Sequence, residues 1–204
     1  MSWQGHEQSK PPAIKQVFKL AKKVFKWDVE NKVDLLRAHL EGMGIRAVIV
    51  KKGGFSSTLK GVIKIDGRNI DTIEFRQGTE GGEGGSRVVY ELVYCISDET
   101  QRAGEQVKAK TKEQKTGLLR SEVIDFYWVG GAVVDLLNED ADLKRMLLAA
   151  ADTKIQVKPD RRGKRVRILR PWNLSFSTSL PSKDCFEAYD RIARHVRRAM
   201  EYPP

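Results

Sequence analysis

The chain has 204 residues, of which 37 are lysine or arginine and 27 are aspartate or glutamate, so its formal net charge is +10. Hydrophobic residues make up 40% of the chain and charged residues 31%, which is typical of a folded globular protein and excludes collagen-like and disordered classes. The two cysteines, Cys95 and Cys185, are too few for a disulfide framework and too far apart in sequence to form a Cys-x-x-Cys metal pair. No apolar run approaches the ~18 residues of a membrane-spanning helix, and residues 1–12 lack the apolar core of a signal peptide. We therefore expect a cytoplasmic protein.

The positive charge is concentrated at the two ends of the chain. Residues 1–50 carry 9 basic and 5 acidic groups, and residues 151–204 carry 13 basic and 6 acidic groups. Residues 51–150 are almost neutral. A partner that recognises charge is therefore expected to bind at one of the ends.

The first predicted element is a basic amphipathic helix over residues 13–27. Apolar side chains recur at helical spacing on one face, while Lys15, Lys19, Lys22 and Lys26 share another. This stretch contains no acidic residue that could pair with the lysines. Such a helix either packs its apolar face on the core or lies in the plane of an anionic membrane surface. The second alternative would make the chain a peripheral membrane protein.

A second helix is predicted over Val29–Met43, and strand-like patterns follow it. Four strands are predicted: Ile45–Lys51, Thr58–Ile65, Ile70–Gln77 and Val88–Ser97. The dipeptide Asp66-Gly67 predicts a type I′ hairpin turn between the second and third strands. The glycine-rich segment 78–85 predicts a flexible hairpin loop, because it lacks the Gly-Lys-Ser/Thr sequence and the following helix of a phosphate-binding loop.

Residues 98–120 are polar and predict either a mobile loop or a long exposed hairpin arm. An aromatic strand, Glu122–Val129, comes next. Helices are then predicted over Ala132–Leu137 and Ala141–Ala150, with Asn138 as the N-cap of the second. Four aromatic residues of the predicted sheet either pack in the core or line a small-molecule pocket between sheet and helices: Tyr90, Tyr94, Phe126 and Trp128.

The basic C-terminal segment is predicted to form a hairpin, with strands Lys154–Lys158 and Lys164–Arg170 around a turn at residues 159–163. Because side chains alternate along a strand, the basic residues share the face opposite to the valines and isoleucines. The predicted phosphate-binding surface consists of Arg161, Arg162, Lys164, Arg165 and Arg167. Trp172 and Phe176 lie close in sequence and could stack on bases.

The last predicted helix runs from its N-cap, Ser182, to about Met200. Two acid–base pairs at a spacing of four residues explain part of its charge: Glu187 with Arg191, and Asp190 with Arg194. His195 lies among arginines and is expected to be a surface histidine rather than a metal ligand.

The order of these elements predicts an α+β fold: a mostly antiparallel sheet covered on one face by helices, with a C-terminal β-hairpin plus helix. We expect a single domain over residues 1–204. The alternative is an N-terminal lobe at 1–100 and a C-terminal lobe at 121–204, with a flexible loop at 101–120 between them.

The sequence contains no nucleophile elbow, metal-ligand cluster, dinucleotide-binding fingerprint or Walker motif. We therefore predict no catalytic residue, no metal and no cofactor. The favoured hypothesis is a non-enzymatic protein that contacts nucleic acid through its basic C-terminal hairpin. The alternatives are peripheral membrane binding through the N-terminal helix and ligand binding in the aromatic pocket.

Overall fold

The fold is described from a computed structural model that covers residues 32–54, 57–82, 85–117, 122–169 and 180–201. Its strands, in chain order, are β1 (Arg46–Lys52), β2 (Leu59–Asp66), β3 (Thr72–Gly82), β4 (Gly85–Ser97), β5 (Ala109–Thr116), β6 (Glu122–Gly130), β7 (Gln156–Asp160) and β8 (Arg165–Leu169). They form one eight-stranded sheet in the order β1-β2-β3-β4-β8-β7-β5-β6, and every neighbouring pair is antiparallel. The predicted α+β class with a C-terminal hairpin and helix is confirmed.

Within the described residues, four α-helices pack on one face of this sheet, which we call the inner face. They are α1 (residues 32–42), α2 (Val133–Glu139), α3 (Ala141–Ala149) and α4 (Lys183–Glu201). Helix α1 lies directly on β2, since a side chain at Gly61 would come within 2.7 Å of Val33. Helix α4 packs on the middle of the sheet, where Tyr189 stacks on Tyr94 of β4 with ring centroids 4.3 Å apart.

The inner face is apolar because alternate residues of each strand point toward the helices. Ile73, Tyr94 and Ile168 are paired across β3, β4 and β8, and all three are fully buried. The ends of the sheet extend this layer through Ile63 and Trp128, which are also buried. Burial of each such side chain stabilises the fold by about 1.5–3 kcal/mol.

Within the segment predicted as a mobile loop or an exposed arm, residues 98–117 are held by hydrogen bonds and by strand pairing. Asp98 accepts hydrogen bonds from the backbone N–H groups of Arg102 and Ala103 at 2.8 and 2.9 Å. Further along, β5 pairs with both β6 and β7, so it is a sheet strand rather than a mobile loop. Because β4 pairs with β8, residues before 100 and after 121 share one sheet. The assignment of all 204 residues to one domain stays a prediction, since residues 1–31 lie outside the described part.

Two predicted turns differ from the structure. Strands β3 and β4 extend as far as Gly82 and Gly85, so most of the glycine-rich segment belongs to a long hairpin. The connection between β2 and β3 is not a two-residue turn, because it spans residues 67–71. In it Ile70 is buried, and Asp190 of α4 accepts hydrogen bonds from the backbone N–H groups of Asn69 and Ile70 at 2.7 and 3.1 Å. This connection is therefore held by hydrogen bonds to a distant helix.

The end of β6 depends on a glycine. Gly130 has a φ of +147°, and a Cβ atom there would lie 2.1 Å from the carbonyl oxygen of Lys108. The end of β6 therefore lies closer to Lys108, the residue before β5, than any side chain at position 130 would allow. The N–H group of Gly131 donates to the same carbonyl oxygen at 2.7 Å, where the chain leaves the sheet toward α2.

Replacing Gly130 by alanine tests this contact. We expect Gly130→Ala to lower the free energy of unfolding by about 3 kcal/mol, because the new Cβ atom forces the backbone apart and occupies a strained φ. Urea denaturation measures the change. The control is Gly42→Ala, where the added Cβ meets nothing within 4 Å and should be neutral or stabilise by up to about 1 kcal/mol. Equal stability of the two variants would contradict the interpretation.

Asp140 joins α3 to α4. Its Oδ1 accepts a hydrogen bond from the N–H group of Leu143 at 3.0 Å, which caps α3. Its Oδ2 lies 2.5 Å from Arg191 Nε and 2.7 Å from His195 Nε2, both on α4. Burial alone would raise the pKa of Asp140, but the hydrogen bonds from Arg191, His195 and Leu143 outweigh it and hold that pKa well below its usual range.

The predicted capping and pairing of these helices is partly wrong. Asn138 does not cap α3; its side chain instead bonds the backbone N–H and C=O groups of Trp128 at 2.8 and 3.1 Å. Glu187 pairs with Arg68 at 3.1 Å, and Asp190 bonds the β2–β3 connection, so these acids bind distant residues instead of the arginines four positions later. His195 is only 13% exposed rather than on the surface. The N-cap at Ser182 is confirmed by a 3.2 Å hydrogen bond from the N–H group of Cys185.

We expect Asp140→Ala to lower the free energy of unfolding by about 3 kcal/mol near neutral pH, because it removes a cap and leaves Arg191 without its buried carboxylate. Since the pKa of Asp140 is lower in the folded state, its contribution is complete above about pH 4 and is lost as the pH falls further. The difference in the free energy of unfolding between the variant and the native protein should therefore become smaller at acid pH. Urea denaturation at several pH values measures this.

The matched control is Asp135→Ala, an exposed carboxylate in the first turn of α2, which should cost about 0.5 kcal/mol or less. If the loss of unfolding free energy caused by Asp140→Ala stayed constant from neutral to acid pH, the role assigned to the charge of the Asp140 carboxylate would be wrong.

Candidate functional site

The turn between β7 and β8 presents three exposed cations, Arg161, Arg162 and Lys164, which we call the basic turn. Two local hydrogen bonds shape it: Gly163 N–H donates to Asp160 Oδ1 at 3.2 Å, and Lys164 N–H donates to the Arg161 carbonyl oxygen at 3.2 Å. The turn is also attached to the body of the protein, since the N–H group of Asp98 donates to the Lys164 carbonyl oxygen at 2.8 Å. Within the described residues, none of the three basic side chains forms an ion pair.

Arg165 and Arg167, the other two predicted contacts, lie on the outer face of β8, the face opposite to the helices. Arg165 bonds Glu74 of β3 and also donates from Nε to Asp160 Oδ2 at 3.2 Å. Arg167 Nε lies 3.5 Å from the same Asp160 oxygen. Arg76 completes this group by donating to Glu74 Oε2 at 2.6 Å. We call these five residues the acid–base network.

The acid–base network is largely neutralised from within. It contains three guanidinium groups and two carboxylates, and the Glu74 side chain is only 4% exposed. Burial alone would raise the pKa of Asp160, but the hydrogen bonds from Gly163 and Arg165 together with the charge of Arg167 lower it. Burial would likewise lower the pKa of Arg165, which nearby Glu74 and Asp160 raise. The structure thus divides the five predicted residues into three exposed cations and two arginines held by carboxylates.

Three lysines outside the predicted phosphate-binding surface lie on the outer face of β7 and β5. Lys158 of β7 is the register partner of Arg167, and Lys110 of β5 is the partner of Gln156 on β7. Lys112 lies two residues beyond Lys110 on the same face. All three are exposed, and none pairs with an acid in the part of the chain that the structure describes. We call Lys158, Lys110 and Lys112 the lysine stripe.

A sequence signal for the lysine stripe did exist. Lysines at positions 108, 110 and 112 alternate with other residues, which is the period of a strand with one basic face. The high polarity of residues 98–120 instead led to the prediction of a mobile loop or a long exposed hairpin arm. Only the pairing of β5 with both β6 and β7 shows that these lysines lie next to the basic hairpin.

A cleft of about 460 Å³ opens on the outer face next to the acid–base network. Its floor includes Thr72, Cys95 and Ser97, and one wall is formed by Gly163, Lys164 and Arg165. Lys51 of β1 and Glu99 also line it, so its charge is mixed. Because Lys164 lines it, the cleft adjoins the basic turn.

Cys95 is 2% exposed at the floor of this cleft. Burial, reinforced by the negative charge of Glu74, raises the pKa of the Cys95 thiol to about 12. Only a thiolate reacts as a nucleophile, so this cysteine is not suited to nucleophilic chemistry near neutral pH.

We expect Cys95 to resist alkylation by iodoacetamide in the folded protein near pH 8, where roughly one thiol in ten thousand is ionised at that pKa. In denaturant its labelling should accelerate by orders of magnitude. Peptide mass spectrometry after timed labelling measures both rates. Equal alkylation rates in the folded and denatured protein would show that the Cys95 thiol is not buried and that its pKa is not raised.

The four aromatic residues considered for a pocket are packed in the core instead. Tyr90 stacks on Phe75 with centroids 5.3 Å apart, and Tyr94 stacks on Tyr189. Phe126 and Trp128 form an edge-to-face pair at 6.4 Å. All four are at most 3% exposed, and the cleft lies on the other face of the sheet.

Several other predicted features lie outside the described residues. They are the membrane-surface lysines Lys15, Lys19, Lys22 and Lys26 and the stacking candidates Trp172 and Phe176. Peripheral membrane binding therefore stays a prediction. In the described ranges, no helix is long and apolar enough to cross a membrane. Those ranges also contain no group of three or more histidine, cysteine, aspartate or glutamate residues arranged to hold a metal ion.

Comparison with known proteins found no similarity: no protein-family model, no curated protein sequence and no solved structure matches the chain. A function can therefore be inferred only from the geometry and charge of the side chains themselves.

Proposed function

We propose that the protein binds nucleic acid through the phosphate backbone, with the basic turn and the lysine stripe as the contact surface. The observation that carries the proposal is the set of exposed cations on the β7–β8 turn and the adjoining outer face: Arg161, Arg162, Lys164, Lys158, Lys110 and Lys112. None of these six has an acidic partner within the described residues. A polyanion would supply the missing partners.

Several cations elsewhere in the described residues are paired instead. Lys52 pairs with Asp34 at 2.8 Å, Lys144 with Asp125 at 2.7 Å, and Arg197 with Asp71 at 2.7 Å. Such pairs reduce the local positive potential because each cation has a nearby carboxylate. Within the described residues, the cations of the basic turn and the lysine stripe lack this compensation and lie together, which supports them as the site where a polyanion binds.

The acid–base network supports the surface in a different way. Arg165 and Arg167 are held by Glu74 and Asp160, so their positions are restricted before any ligand arrives. Asp160 also shapes the basic turn through its bond to Gly163. We propose that these two arginines make secondary phosphate contacts and position the turn, whereas the six cations of the basic turn and the lysine stripe provide most of the affinity.

Phosphate contacts predict a particular kind of recognition. They fix the position of a nucleic acid but do not read its bases, so binding should depend weakly on sequence and strongly on salt. No chemical step is proposed at this surface. The function is binding.

The test is the affinity of the full chain for fluorescent RNA and DNA fragments, measured by anisotropy over a series of salt concentrations. We expect binding near 50 mM salt, with the logarithm of the association constant falling linearly as the logarithm of the salt concentration rises. The double variant Arg161→Gln and Arg162→Gln should weaken binding to every fragment and reduce the salt slope by about 2.

The matched control is Arg145→Gln on α3, which removes a positive charge that is 78% exposed and paired with Asp142. It should leave both affinity and slope nearly unchanged. Absence of binding near 50 mM salt, binding without a negative salt slope, or an equal effect of the turn and control variants would each refute the proposal.

A further inference from the structure

Tyr127 differs from every other aromatic residue in the described ranges. It is 41% exposed on β6, whereas the remaining tyrosines, phenylalanines and tryptophan there are buried. Phe126 and Trp128 on either side point into the core, so Tyr127 points to the outer face. An exposed aromatic ring on a sheet surface offers a flat apolar face on which another planar ring can stack.

The neighbours of Tyr127 are cationic. Its register partner on β5 is Lys112, and Lys110 pairs with Val129 two residues along β6. The nearest acid on the strand, Asp125, is engaged by Lys144 of α3 at 2.7 Å. The ring is thus flanked by two exposed lysines whose charges are not compensated.

The register connects Tyr127 to the basic turn. From the turn, the outer face presents Lys158, then Lys110 diagonally across β7 and β5, then Lys112, and then Tyr127 on β6. With strands about 4.8 Å apart and about 3.4 Å per residue, successive positions are separated by roughly 5–8 Å. This spacing is comparable with the distance between successive phosphates of an extended strand. The path ends at β6, an edge strand of the sheet.

We infer that the ligand is a single-stranded nucleic acid, with one base stacked on Tyr127 and the backbone following the lysine stripe to the basic turn. This inference rests on the proposed nucleic-acid binding and narrows its ligand class. Base–aromatic stacking beside a basic groove is a general mode of single-strand binding, and it tolerates any base because every base has an aromatic face.

A duplex fits this surface less well. Its bases are already paired and stacked, so they cannot cover the ring of Tyr127. A duplex would therefore contact the basic turn and some lysines, but not Tyr127.

The experiment compares Tyr127→Ala with the native protein by fluorescence anisotropy. The probes are oligothymidylate and oligouridylate of about 20 nucleotides and a mixed-sequence duplex of the same length. We expect Tyr127→Ala to weaken binding to the single strands about 5- to 100-fold, with less than a twofold effect on the duplex. The salt slope should not change, because no charge is removed. The two single-stranded probes show whether DNA or RNA is preferred.

Two variants control for structural effects. Tyr127→Phe keeps the ring and should restore binding to within about twofold of the native protein. Ile124→Ala removes a 59% exposed apolar side chain from the same strand and should not alter affinity. Thermal unfolding confirms that each variant is folded before binding is measured.

The outcomes separate this inference from the proposed function. If the native protein binds no nucleic acid, both fail. If binding depends on the basic turn but Tyr127→Ala leaves single-strand affinity unchanged, weakens single strands and duplex equally, or is not rescued by phenylalanine, only the single-strand inference is overturned. A native preference for the duplex would overturn it as well.

Discussion

The pairing of β4 with β8 is the interaction on which the rest of the structure depends. It joins the four strands before residue 98 to the four strands after residue 108, so that one sheet runs through both halves of the chain. Its hydrogen bonds are flanked on the inner face by Tyr94 and Ile168, which are fully buried. Without this pairing, α4 would lack the continuous apolar floor on which Tyr189 stacks.

The same pairing places charges on the outer face. It brings Arg165 from the hairpin next to Glu74 of β3, a residue 91 positions earlier in the chain. A buried carboxylate is costly to remove from water unless cations bind it, and Glu74 has two, Arg76 and Arg165. Satisfying Glu74 therefore uses one of the arginines that the hairpin presents. Within the described residues, the cations of the basic turn and the lysine stripe have no acidic partner and remain available to bind phosphate.

Local patterns were sufficient for much of the fold and failed where a distant contact competes with them. The hairpin at residues 154–170 was predicted because alternation and turn composition are properties of neighbouring residues. Asn138 was a reasonable N-cap by composition, yet Asp140 caps α3, because Asn138 binds the backbone of Trp128 in the adjacent strand. The same competition explains Glu187, which prefers Arg68 to a partner on its own helix.

The candidate site shows a similar division. Arg161, Arg162 and Lys164 could be selected from sequence because a turn of this composition exposes its side chains in most folds. The contribution of β5 could not be selected, because which strands lie beside the hairpin is decided by pairing across the sheet. Tyr127 lies in the predicted aromatic strand Glu122–Val129, and only the burial of its neighbours Phe126 and Trp128 shows that its ring faces outward.

The sequence by itself determined the α+β class, most of the helices and strands, and the location of surplus positive charge near the ends of the chain. These properties follow from composition and from periodicity over a few residues. The tertiary structure alone decided which cations are neutralised, which face of the sheet carries the others, and which aromatic ring remains exposed. The physical reason is that ion pairing and burial depend on residues that are close in space but far apart in the chain, and local patterns carry no information about them.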